Sequence, residues 1–143
     1  MSANLLASIA DYETFVYGLP GAFPCIMMST LVVVHTGPVT AVVKGEIHFE
    51  RGFVLRVLEV VNARQQRIEH YGYELWLGNV ELRWHYSWPH PDLPELAGSH
   101  PHHKHIPPDI KQHRIPAPGL GFQSPNLPAL IREVEQKGDR FIY

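Results

Sequence analysis

The sequence predicts an α+β fold: an antiparallel β-meander sheet packed against one or two helices, with a long Pro/His-rich loop before the C-terminal helix. Three observations carry this prediction. From Leu31 to Trp88, stretches rich in β-branched and aromatic residues are divided by short turn-forming separators. From Pro89 to Pro125 prolines recur too often for helix or central strand. After them Leu127, Leu130, Ile131 and Val134 form an apolar stripe at helical spacing.

In chain order, residues 1 to about 28 come first and are mildly apolar. Asn4 is placed to cap a short helix through Leu5, Leu6, Ile9 and Tyr12. Gly18, Pro20, Gly21 and Pro24 then interrupt regular structure, so the segment is expected to pack loosely. Five strands follow: Leu31–His35, Val39–Phe49, Phe53–Val61, Arg67–Leu77 and Val80–Trp88. Gly37-Pro38, Arg51-Gly52, residues 63–66 and Gly78-Asn79 separate them, and connections so short imply antiparallel hairpins. In the last strand Val80, Leu82, Trp84, Tyr86 and Trp88 alternate with Glu81, Arg83, His85 and Ser87. In the strand before it Tyr71, Tyr73, Leu75 and Leu77 alternate with His70, Gly72, Glu74 and Trp76. One face of the sheet is thus expected to be apolar, and Glu74 and His85 to share the other.

The proline-rich stretch is long for a structureless loop in a compact domain, which is a mark of function. Beyond it, Asn126 reads as a helix N-cap, with Pro128 in the first turn and Gly138 at the end. This helix is expected to cover the apolar face of the sheet.

Composition narrows the function classes. At 143 residues the chain is one domain by length, burying roughly two-thirds of its unfolded surface. A net charge of −2 carries no basic signature of a nucleic-acid binder. That figure counts histidine as neutral, and about one-quarter of unperturbed histidines are protonated at pH 7. The region from Arg83 to Arg114 can therefore turn positive as a phosphate approaches. Cys25 is the only cysteine, which suits a reducing compartment. The N-terminus lacks the charged region of a secretion signal, and no apolar run reaches a membrane span of about 20 residues. A cytoplasmic protein is expected.

Ten histidines serve this chain, and His90, His100, His102, His103, His105 and His113 fall between Trp88 and His113. Proton transfer is the first chemistry they suit. Metal-free RNA cleavage needs a base for the 2′-hydroxyl, an acid for the leaving oxygen and a cation for the phosphate. His102, His103 and His105 are candidates for acid and base, and Lys104 and Arg83 for the cation. On an extended backbone His103 and His105 share one side, with His102 and Lys104 on the other. Glu74 and His85 are placed to orient them. Metal ligation is the second chemistry: His100-x-His102 and His103-x-His105 are chelating pairs, and Asp92, Glu95 and Asp109 can complete a shell. Against it stand Lys104 inside the cluster and the absence of any cysteine pair or His-Glu-x-x-His pattern. The third reading is structural, with histidine rings packed on proline faces.

Tyr71, Tyr73, Trp76, Trp84, Tyr86 and Trp88 could stack on bases, although aromatics at strand spacing read first as core. Glu59, inside an apolar strand, reads as an edge residue before a catalytic carboxylate, and Arg56 faces away from it by alternation. Cys25 reads as a small buried hydrophobe.

Several motifs resemble one family. Gly45-Glu46-Ile47, Arg56-Val57, Glu59-Val60-Val61, Tyr71-Gly72-Tyr73-Glu74, Leu82-Arg83-Trp84 and Pro89-His90-Pro91 are similar to the TumE family. So are His100-Pro101-His102-His103-Lys104-His105, Pro107-Pro108-Asp109-Ile110-Lys111, Arg114-Ile115-Pro116-Ala117-Pro118-Gly119 and Pro125-Asn126-Leu127-Pro128. The likeness runs from about Leu31 to Glu135, and Pro-His-His-Lys-His is its most specific part. It implies the toxin of a type II toxin–antitoxin module, silenced by a helix-turn-helix antitoxin. Met27 and Met28 stand where a family member would begin, so residues 29–143 read as the toxin domain and 1–28 as an extension. The expected architecture also looks like the RelE-type ribonuclease toxins.

Together these features lead to the expectation of a metal-independent ribonuclease toxin without a cofactor. His102, His103, Lys104, His105, Arg83 and Glu74 are its expected catalytic groups. Tyr73, His85, His90, His100, Lys111 and Arg114 are expected to contact substrate. Expected partners are the antitoxin and RNA, with a homodimer left open and no membrane. A non-catalytic module that docks a partner on its histidine loop, and a His-ligated metal hydrolase, are the alternatives.

Overall fold

All five predicted strands form. The computed structural model describes residues 4–86, 103–105, 114–116 and 120–137, of which 83–86, 103–105 and 114–116 are described by backbone alone. Among the described residues, eight strands make one antiparallel sheet: β1 Ile26–Ser29, β2 Val32–His35, β3 Thr40–Phe49, β4 Phe53–Asn62, β5 Arg67–Leu77, β6 Val80–Tyr86, β7 His103–His105 and β8 Arg114–Pro116. The order is β1-β3-β4-β5-β6-β7-β8, with β2 also on the outer edge of β3. The turns follow the predicted separators. Gly78 takes φ +60° in the two-residue hairpin that pairs Leu77 with Val80. Arg51 and Gly52 take φ 66° and 85° between β3 and β4.

Gly45 explains how two strands share the edge of β3. β1 lies along Ile47–Phe49 and β2 along Ala41–Lys44, so the chain crosses from one to the other opposite Gly45. There φ is +136°, and a Cβ would meet the Thr30 carbonyl oxygen at 2.6 Å. Only glycine admits both the dihedral and the approach.

Helices cover one face of the sheet. They are α1 Ile9–Tyr17, α2 Leu19–Ala22 and α3 Leu127–Lys137. Ser8 caps α1 through its hydroxyl and the Asp11 N–H (3.2 Å), while Asn4 caps the preceding 3-10 turn, Leu5–Ala7. Leu6, Ile9, Tyr12, Val16 and Leu19 are buried in the same core as Val43, Ile47, Leu55, Val57 and Ile68. The loose packing expected for this segment gives way to tight packing, because its apolar residues recur at helical spacing between the breakers. Leu127, Leu130, Ile131 and Val134 of α3 are also buried, as the stripe predicts. Each contributes about 1.5–3 kcal/mol of apolar burial.

Three strands escape the sequence pattern. β1 follows Pro24, and β7 and β8 are three-residue segments inside the proline-rich stretch. Pro116 is tolerated because β8 stands at the end of the strand order. The expected extension of β6 to Trp88 lies outside the described residues.

One register shift corrects the predicted faces. Leu75 pairs with Arg83 but Trp76 pairs with Glu81, so Leu82 is an extra residue on β6. Beyond this bulge the phase of β6 is reversed: Glu74 pairs with Trp84, and His85 pairs with Tyr73. Glu74 and His85 therefore stand in different rows, because one inserted residue turns a period of two inside out.

Candidate functional site

The face of the sheet opposite the helices carries the polar chemistry. One register row crosses it: Glu46↔Arg56↔Glu74↔Trp84↔His105↔Arg114. Alternation on β3, β4 and β5 buries Ile47, Leu55, Val57, Tyr73 and Leu75, which leaves Glu46, Arg56 and Glu74 on the open side. Arg56 Nε donates to Glu46 Oε2 at 3.1 Å, and its Nη1 stands 4.0 Å from Glu74 Oε1. Trp76 Nε1 donates to the same Glu74 oxygen at 3.0 Å. The Arg56 guanidinium lies 5.0 Å from the Trp76 ring centroid, a cation–π distance. His48 Nε2 is 3.1 Å from Glu46 Oε1. Five side chains from three strands thus hold one another in place on an exposed surface.

The predicted site residues divide as follows. Glu74 belongs to this cluster. His103, Lys104 and His105 form β7, in register with Tyr86, His85 and Trp84. Arg114 in β8 pairs with His105, and Arg83 in β6 pairs with Leu75. The row through Glu74 and Trp84 thus reaches His105 and Arg114, while Tyr73, His85 and Lys104 share the adjacent row. His90, His100, His102 and Lys111 lie outside the described residues, as do His113, Asp92, Glu95 and Asp109. Tyr73 is wholly buried, so it serves the scaffold beneath the open face rather than facing an incoming molecule. Arg56, Trp76, Glu46 and His48 were not picked out by sequence reasoning as a cluster. Their signal is the set of polar residues at one phase of three consecutive strands.

The covered face holds a second group of polar residues. Glu59 is fully buried in β4, which overturns its expected position at an edge. Tyr12 donates to Glu59 Oε1 at 2.5 Å, and Tyr73 donates to Oε2. Asn126 Nδ2 donates to the Tyr73 hydroxyl at 3.2 Å and to the Gly121 carbonyl at 3.0 Å. Asn126 Oδ1 accepts from the Gly121 N–H at 3.0 Å. Asn126 is the N-cap by its backbone, since its carbonyl accepts from the Leu130 N–H at 3.2 Å, but its side chain is turned into the core. Burial pushes the Glu59 carboxyl above its ordinary value, with the two hydroxyl donors opposing that shift in part. Burial and the adjacent carboxylate push Tyr12 and Tyr73 well above theirs, so both remain hydroxyl donors. This network ties α1, β4, β5 and the start of α3 together. Its sequence signal is the acidic residue at an apolar phase of β4.

Among the described residues, no three His, Cys, Asp or Glu side chains are grouped to hold a metal. No described helix is long and apolar enough to cross a membrane. No curated protein and no solved structure matches the chain. A family model does, that of the toxin TumE, over residues 24–138. That match spans most of the sequence and includes every strand, the whole histidine run and α3. A toxin of this kind has an antitoxin as its partner. The chain belongs to the TumE toxin family.

Proposed function

We propose that this toxin is a metal-independent ribonuclease of the cytoplasm, silenced by a helix-turn-helix antitoxin. His102, His103 and His105 supply acid and base. Lys104 and Arg83 stabilise the charge developing on phosphate, and Glu74 orients the histidines. His90, His100, Lys111 and Arg114 hold the RNA on either side. The observation that supports the reading most is the register row in which His105 and Arg114 continue Arg56, Glu74 and Trp84. Acid–base histidines at the end of a charged and aromatic row suit a single strand laid across the sheet. From β4 to β7 is three strand spacings, about 14 Å at about 4.8 Å each. Without a metal, the transition state depends on positioned cations and proton transfer.

The test is cleavage of RNA by purified untagged toxin in excess chelator. Cleavage is expected, and His103→Ala or His105→Ala should lower the rate by about 10² to 10⁴. Intact RNA after prolonged incubation, or full activity in both variants, would refute the proposal. Activity that appears only when zinc is restored would assign the histidines to a metal instead.

A further inference from the structure

The open face has two unlike halves. Around Arg56 it is charged and internally paired, whereas toward β2 it is aliphatic. Val32, Val34 and Leu58 are 43%, 40% and 39% exposed, and Val42 and Val60 beside them are half-buried. Two register rows hold them, Val32↔Lys44↔Leu58 and Val34↔Val42↔Val60, across three adjacent strands. A contiguous aliphatic surface on an outward sheet face marks an interaction site. Lys44 stands at its centre, exposed and in no ion pair with a described residue.

That lysine decides between occupants. A second copy of the chain, meeting this patch about a two-fold axis, would set Lys44 near Lys44, and like charges repel. RNA would find one cation and no aromatic platform. A protein segment with aliphatic side chains around a carboxylate fits both the surface and the charge. We infer that this half of the open face docks the antitoxin through such a segment, its carboxylate paired with Lys44. The inference rests on the protein being a toxin with an antitoxin and is independent of ribonuclease chemistry. Under the ribonuclease reading, a partner seated on β2, β3 and β4 would also border the Arg56 end of the row that leads to His105.

The probe is the purified product of the reading frame adjacent to the toxin gene, titrated against the full-length toxin. Val34→Lys and Leu58→Lys should each weaken the complex at least about tenfold, with the melting temperature of the free toxin unchanged. Lys44→Glu should do the same, and Gln136→Lys on α3 should have no effect. Zero-length carbodiimide cross-linking should join Lys44 to an aspartate or glutamate of the partner. Wild-type affinity in folded Val34→Lys and Leu58→Lys would overturn the inference, as would cross-links through other lysines alone. Should the lysine variants unfold, Val34→Thr and Leu58→Gln carry the same comparison. A free toxin that is dimeric as wild type and monomeric as Leu58→Lys would give the surface to a second copy. If the adjacent product does not bind at all, the antitoxin assignment fails and the inference with it, while RNA cleavage is decided separately by the chelator assay.

Discussion

The two faces of one sheet hold the same kinds of residue under opposite conditions. On the covered face a glutamate is sealed from water and held by two tyrosine hydroxyls, one of them in turn bonded by Asn126. On the open face Glu46 and Glu74 flank Arg56 in contact with solvent. Desolvation makes the first group indispensable to the fold, because a buried polar atom that loses its partner recovers nothing from water. Water screens the second and can replace any one of its contacts. Residues on the open face are therefore free to serve a partner or a substrate, whereas those beneath hold the sheet and helices in place.

This contrast can be broken most forcefully at Glu59. Glu59→Ala leaves the Tyr12 and Tyr73 hydroxyls without their acceptor and opens a cavity. It should cost about 3–5 kcal/mol in urea denaturation. A cost below about 1 kcal/mol would mean that water or a neighbour takes the place of the carboxylate. Gly45→Ala comes next, at about 2–4 kcal/mol, from the positive φ and the overlap with Thr30. Tyr73→Phe removes a single hydroxyl from the network and should cost about 1–2 kcal/mol by the same measurement. Arg56→Ala, on the open face, should cost less than about 1 kcal/mol. An Arg56 loss equal to that of Tyr73 would erase the distinction between the faces.

pH sharpens it further. Burial raises the Glu59 carboxyl in the folded protein, while in the unfolded chain it titrates near the usual value of about 4.3. Between those two values the folded state keeps a proton that the unfolded state has released. The stability due to this group is therefore complete below about pH 4.3 and is lost as pH rises through the folded value. Glu59→Gln cannot ionise, so its stability should lack that decline. Denaturation midpoints measured from pH 4 to pH 8 should fall for the wild type relative to Glu59→Gln. Parallel curves would show that the carboxyl titrates alike in both states.

Much of the fold was legible because hairpin strands and an amphipathic helix write their periods directly into the chain. β3, β4, β5 and α3 were anticipated to within a residue or two, and their turns were marked by Gly-Asn, Arg-Gly and a polar tetrapeptide. β1, β7 and β8 were not, since three- or four-residue strands are too short to show alternation and gain their pairing from the neighbour. The single-residue bulge at Leu82 was equally invisible, yet it moved His85 into the row of Tyr73 and brought Trp84 opposite Glu74. The histidine run stood out from composition alone. The Glu46–Arg56–Glu74–Trp76–His48 cluster did not, because its members are spread over three strands and meet only through register.

By itself, the sequence determined the meander, the C-terminal helix, the family motifs and the residue types available for chemistry, all of which follow from local period and spacing. Tertiary structure alone decided which glutamate was buried and which exposed, which residues shared a row, and which half of the outward face was left aliphatic. Those outcomes depend on strand register and on which side the helices settle. Both are set by contacts between residues far apart in the chain, so no local pattern could contain them.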